Sequence, residues 1–247
     1  LGASGETIVR EPEKSRDHSE RLLSAMGADI FVHQNAVRIR KSRLHCVDVD
    51  VPADISSAAY FLALGALKGE IVCPRVGVNP TRTGILTAFD RLGVIYTLQN
   101  ERLVCGEPVA DIVVKKSAMR AITLSKEIMP ALIDEIPVIA LLCAFAEGES
   151  VISGAQELKV KESDRIATTA EMIAALGGDI RATDDGFVIR GKSKLQGGKV
   201  RSYGDHRIAM TAAIGLAASE NGGAIEGAEC VNISFPDFYR RLAGLGN

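Results

Sequence analysis

The chain has 247 residues, 47% of them apolar and 24% charged, with 29 basic side chains against 31 acidic ones and a formal charge of −2. Such a chain can bury a substantial core, and it has no global field to recruit nucleic acid or an anionic membrane. Tryptophan is absent and aromatics make up 4%, which excludes base-stacking platforms and leaves an aliphatic core.

In chain order the segments repeat. "SERLLSAMGADIFVHQNAVRIR" carries a helix-period apolar stripe and then two β-rich runs. "LHCVDVDVPADISSAAYFLALGALKGEIVC" adds an apolar helix and a strand. The same order returns in "GILTAFDRLGVIYTLQNERLVCG", followed by "ADIVVKKS" and "PALIDEIPVIALLCAFAEGESVISG". It returns again in "RIATTAEMIAALGGDIRATDDGFVIRG" and "GKVRSYGDHRIAMTAAIGLAASENGGAIEG". Gly27, Gly93 and Gly177 follow the first helix of each unit, where a left-handed C-cap favours glycine. Polar dipeptides such as the one inside "TDDG" predict hairpins. Asp54, Asp134 and Asp205 each precede a second, more apolar helix and read first as N-caps. Repeated helix–hairpin–helix–strand units predict an α/β (α+β) fold with helices packed against sheets.

Charge gathers at four helix starts: "RDHSER" (16–21), "NPTRTG" (79–84), "KVKESDR" (159–165) and "YGDHR" (203–207). Acids there suit capping, whereas Arg16, Arg82, Lys161, Arg165 and Arg207 oppose the positive end of a helix dipole. A bound anion would offset that cost, because free amides and cations would converge on it. Arg82 reads as paired with a neighbouring acid. Lys161 and Arg165 are one helical turn apart and are expected to share a face. His206 neighbours Arg207, whereas His33 and His45 read as structural or surface residues. Neither the four histidines nor the five cysteines (Cys46, Cys73, Cys105, Cys143, Cys230) have metal-ligand spacing, so no metal and no cofactor is expected. The cysteines read as free thiols of a reducing, cytoplasmic compartment. No apolar run is expected to span a bilayer. The start lacks both a signal-peptide layout and an initiator Met, so the chain reads as a processed or truncated portion.

"EPEKSRDHSERLL", "NPTRTG", "LIDEIPVIAL", "ELKVKESDR", "DHRIAM" and "SFPDFYRRLAGLG", in this order, resemble the 5-enolpyruvylshikimate-3-phosphate synthase family in its bacterial, glyphosate-tolerant type, along the whole chain. The resemblance implies lobes of repeated βαβαββ units, with helices inside β-sheets. Residues 1–52 would finish a first lobe, and 53–247 would form most of a second. It implies transfer of the carboxyvinyl group of phosphoenolpyruvate to the 5-hydroxyl of shikimate 3-phosphate, with release of phosphate.

By position, Asp134 resembles the proton acceptor at the shikimate hydroxyl, and Glu162 the carboxylate that moves the proton at the phosphoenolpyruvate methylene. Lys161 and Arg16 match contacts to shikimate 3-phosphate. Arg165 and Arg207 match phosphoenolpyruvate-binding arginines, and His206 a neighbouring site position. Glyphosate is a candidate inhibitor under the same resemblance. The family's "GDKS" and "GNAGT" segments do not occur here. The expectation is therefore a carboxy-terminal portion holding half a site, inactive without the missing amino-terminal segment. Two alternatives are a UDP-N-acetylglucosamine enolpyruvyl transferase and a non-catalytic α/β repeat module.

Overall fold

The computed structural model describes residues 1–245; the last glycine of the "SFPDFYRRLAGLG" motif, Gly246, lies outside them. In chain order the elements are β1 (Thr7–Arg10), α1 (His18–Ala25), β2 (Ile30–His33), β3 (Ala36–Ile39), α2 (Ile55–Lys68), β4 (Ile71–Gly77) and α3 (Gly84–Leu92). Next come β5 (Ile95–Val104), β6 (Glu107–Lys115), β7 (Thr123–Leu124), α4 (Met129–Leu132), α5 (Ile136–Phe145) and β8 (Glu149–Ile152). The chain then forms α6 (Arg165–Ala175), β9 (Asp179–Thr183), β10 (Gly186–Arg190), β11 (Gly198–Arg201), α7 (His206–Ala218), β12 (Gly223–Glu226) and α8 (Phe238–Gly244).

A strand–helix–hairpin motif occurs three times with one sheet order. β1, β3 and β2 pair as 1-3-2, β4, β6 and β5 as 4-6-5, and β8, β10 and β9 as 8-10-9, all antiparallel. A two-residue loop joins each hairpin; in β5–β6 it is Cys105–Gly106, both with positive φ, which matches the right-handed twist of the strands it joins.

The helix between the first and second elements of each parallel pair is the apolar one. α5 follows β7 and precedes β8, and α7 lies between β11 and β12, with both strand pairs parallel; α2 is bracketed by the parallel bridge Ala53–Val76. Parallel pairing needs such a crossover. α2, α5 and α7 are buried along most of their length, and nothing in the core cluster precedes Ile55. A helix apolar all round is driven inside. The result is the α/β arrangement of repeated βαβαββ units with helices enclosed by sheets.

The three glycines behave as expected. Gly27, Gly93 and Gly177 have φ of +87°, +81° and +87°. After each one the chain folds back, Ala28 to Leu23, Val94 to Phe89 and Gly178 to Ile173, with N···O distances of 2.9 Å, the double-turn closure that such a glycine permits. Gly84 is needed for another reason. A Cβ there would sit 2.6 Å from the Ala131 carbonyl oxygen of α4. Gly84→Ala is expected to cost about 1–3 kcal/mol in a thermal or urea melt; an unchanged midpoint would mean that α3 and α4 can separate freely.

One expectation is corrected here. The helical run Lys126–Phe145 is long and apolar enough, by length and composition, to cross a membrane. However, 72% of its apolar 18-residue window is buried inside the protein, and the run is broken at the 3-10 turn Ile133–Glu135. It is a core element.

Candidate functional site

Asp134 sits on that 3-10 turn, between α4 and α5, each of which carries a proline, Pro130 and Pro137, as its second residue. Proline suits a first helical turn because it has no N–H to leave unpaired. The turn leaves Asp134 making no capping bond to α5, so the cap expected from sequence fails at this position. Its carboxylate instead meets three arginines: Oδ2 is 2.6 Å from Arg16 Nη2 and 3.5 Å from Arg207 Nη2, and Oδ1 is 3.9 Å from Arg165 Nη1. Arg207 Nη1 also donates to the Asp134 carbonyl at 3.3 Å. Burial pushes the Asp134 carboxyl up, but Arg207, Arg16 and Lys161 together hold it below the usual carboxylate range. Asp134 is therefore ionised at neutral pH.

Asp54 and Asp205 do cap, accepting from Ser57 N and Arg207 N at 2.9 Å each. Asp205 does more. It is fully buried, and its Oδ2 accepts from Arg165 Nε at 2.8 Å and from Ser163 Oγ at 3.0 Å. One carboxylate thus ties the start of α6 to the start of α7. Burial raises the Asp205 carboxyl, yet Arg165 and the Arg207 amide bring it net below its ordinary value. A carboxyl depressed in the folded state contributes stability that is complete above its unfolded value, near 4, and is lost as pH falls through the lower folded value. Asp205→Asn is expected to flatten the acid limb of the Tm–pH curve below about pH 4; an unaltered limb would exclude this role.

Arg165 departs from expectation. Its side chain is 1% exposed, and its guanidinium is occupied by Asp205 and by Glu162 Oε2. The anions that offset its place at a helix start are the protein's own. Glu162, half exposed, is brought to Asp134 through this arginine. Lys161 shares no helix face with Arg165, because α6 begins only at Arg165; it lies at the end of the preceding 3-10 turn and pairs back to Glu157. His206 is the first residue of α7, and burial and the Arg207 charge lower its imidazole below 6.5. Arg82 pairs with Asp54 at 3.1 Å, as read from sequence.

Arg16 reaches Asp134 because its neighbours are anchored. Asp17 accepts from Arg21 Nε at 2.9 Å and from Asn79 Nδ2 at 2.7 Å, and the same Asn79 donates to Glu107 at 2.9 Å. The "RDHSER" and "NPTRTG" motifs therefore meet in space. Arg16, Asp134 and Lys161 border an open cleft of ≈ 580 Å³, lined also by Ser15, Lys126 and Gln156, whereas Glu162, Arg165, His206 and Arg207 are not among its lining residues. Ser15, Lys126, Gln156 and the buried Glu135 were not singled out from sequence. For Glu135 a signal existed, an acid directly after Asp134 in "IDE". Lys126 carries no local signal.

An α/β protein of repeated units with helices enclosed by sheets has the fold of the enolpyruvyl transferases. The profile of the EPSP synthase (3-phosphoshikimate 1-carboxyvinyltransferase) family matches residues 1–242. The 3-phosphoshikimate 1-carboxyvinyltransferase of Syntrophomonas wolfei subsp. wolfei is 48% identical over 246 residues, covering 98% of this chain and 58% of the relative. That of Bacillus thuringiensis strain Al Hakam is 45% identical over 248 residues, covering 99% and 58%. The solved EPSP synthase of Acinetobacter baumannii superposes with a TM-score of 0.92 at 40% identity, over 96% of this chain and 56% of that one. The chain belongs to the EPSP synthase family. It spans about 58% of the length of these curated relatives.

Proposed function

We propose that the chain supplies one part of the site of a 3-phosphoshikimate 1-carboxyvinyltransferase. The observation that carries this reading is Asp134, ionised and held between Arg16 and Arg207 at the cleft. The 5-hydroxyl oxygen of shikimate 3-phosphate bonds to C2 of phosphoenolpyruvate while its proton passes to Asp134. The methylene carbon gains a proton and becomes a methyl. Glu162, entering the cycle protonated, delivers that proton and takes one back from the methyl as the C2–O bond to phosphate breaks. The proton held on Asp134 passes to the departing phosphate, so the product is an enol ether and both carboxyls return to their starting states. Two carboxylates in different surroundings, one buried among arginines and one half exposed, can divide these roles.

Arg16, Lys161 and Arg207 bind the anionic groups of the two substrates, and Arg207 can use two parallel hydrogen bonds. Arg165, enclosed by Asp205, Glu162 and Asp134, holds the acids in register, and His206 borders Arg207 as a neutral group. Glyphosate is read as a competitor for the same cations. We assign residues 1–52 to the end of a first lobe and 53–247 to most of a second, supported by a core that begins at Ile55. The remaining substrate contacts are placed in the part of the relatives that this chain does not match. Reacting atoms must be held within about 3–3.5 Å of each other, so partial contacts give little turnover.

The experiment is phosphate release from phosphoenolpyruvate, dependent on shikimate 3-phosphate. It is run with the chain alone and with the chain joined to the amino-terminal part of a relative. Turnover is expected only in the joined form. No turnover in either, or equal turnover with a UDP-sugar acceptor, would overturn the assignment.

A further inference from the structure

The stretch that carries Arg16 is held by polar contacts rather than by packing. Nothing in the core cluster precedes Ile55, and α1, which starts just after Arg16, contributes no buried residue among those described. What seats this stretch against the rest of the chain is a knot centred on Asn79, 2% exposed, in the turn before α3. Its Oδ1 accepts from Thr81 N at 2.9 Å and from Thr81 Oγ1 at 2.8 Å. That fixes which way the amide faces. Nδ2 therefore donates one hydrogen to Asp17 Oδ1 at 2.7 Å and the other to Glu107 Oε2 at 2.9 Å, and every hydrogen-bonding position of the amide is used. Glu107 Oε1 in turn meets His18 Nδ1 at 2.7 Å. Arg21, bound to Asp17, also donates to the Gly106 carbonyl of the β5–β6 loop at 2.9 Å.

Both ends of the Arg16–Asp134 contact are thus referred to the start of α3. Asn79 holds Asp17, the residue next to Arg16. Gly84, the first residue of α3, packs directly on the Ala131 carbonyl of α4, and α4 runs straight into the turn that carries Asp134. We propose that Asn79 is a positioning residue for the binding of shikimate 3-phosphate. Through Asp17 it sets where the Arg16 guanidinium stands at the cleft, and so how well that arginine meets the ligand. An amide suits this task because one neutral group joins two carboxylates, Asp17 and Glu107, that would repel each other without it. The inference rests on the reading of Arg16 as a contact to shikimate 3-phosphate.

The test is a double-mutant cycle on the affinity of the full chain for shikimate 3-phosphate, measured by calorimetry well below each variant's melting temperature. Asn79→Ala is expected to weaken binding about tenfold, the worth of one displaced charge-assisted hydrogen bond. In an Arg16→Gln background the same substitution should change affinity by less than about twofold, the margin within which independent effects add. A residue that only stabilises the fold would lower the melting temperature, yet weaken binding by the same factor, or not at all, in both backgrounds. Asp17→Asn keeps the shape and removes the charge that Asn79 and Arg21 hold. It should weaken binding by the same route, and it serves if Asn79→Ala fails to fold. Parent affinity in these variants, or an equal loss with and without Arg16, overturns the role of Asn79 and leaves the proposed function standing. No measurable affinity in the parent overturns the cleft as the shikimate 3-phosphate site, and this inference with it.

Discussion

Asp134→Asn is expected to lower turnover of the joined enzyme by about 10²- to 10⁴-fold, the range of a positioned proton acceptor. Asparagine preserves shape and can still face Arg16 and Arg207, but it cannot take the hydroxyl proton at neutral pH. The side chain is 15% exposed and makes no capping bond to α5, so a much smaller effect on the melting temperature is expected. A turnover within threefold of the parent would remove Asp134 from the chemistry. A collapse in Tm with no specific loss of turnover per folded molecule would recast it as a structural acid.

Arg165→Met should behave in the opposite way. Methionine fills a similar volume, but it strands Asp205, which is fully buried and has lost its strongest partner. Breaking a buried pair from one side costs about 3–5 kcal/mol, because the remaining charge stays desolvated. For a chain of this size that is a fall in Tm of about 6–20 °C. Asp205→Asn combined with Arg165→Met should recover part of the loss, since it removes the stranded charge. A single variant as stable as the parent would show that Arg165 is free to face the cleft, as its sequence position suggested.

These residues show where the sequence was legible. Gly27, Gly93 and Gly177 were readable because the left-handed turn is a local demand that glycine meets. Asp54 and Asp205 were readable as caps for the same reason: donor and acceptor lie two or three residues apart. Asp134 looked the same in sequence. The 3-10 turn it sits on, between two helices that each carry a proline in their first turn, aims its carboxylate away from α5 and toward arginines far along the chain, and spacing alone does not convey that direction. Arg165 was recognised as significant but given an open fork, because its partner Asp205 is forty residues away and joins it only when α6 packs beside α7. Glu135 was missed, since burial is set by the fold, and burial is what turns an ordinary glutamate into a group that titrates near neutrality. The family resemblance carried the role assignments; the geometry supplied who is paired with whom.

The central claim is that Asp134 and the cations beside it form an anion-holding proton-transfer site. The most direct measurement is release of phosphate from phosphoenolpyruvate in the presence of shikimate 3-phosphate. It compares the joined enzyme with and without Asp134→Asn, with folding checked by melting temperature. The account predicts turnover in the parent and a loss of at least a hundredfold in the variant at nearly unchanged Tm. Parent-like turnover in the variant would contradict it.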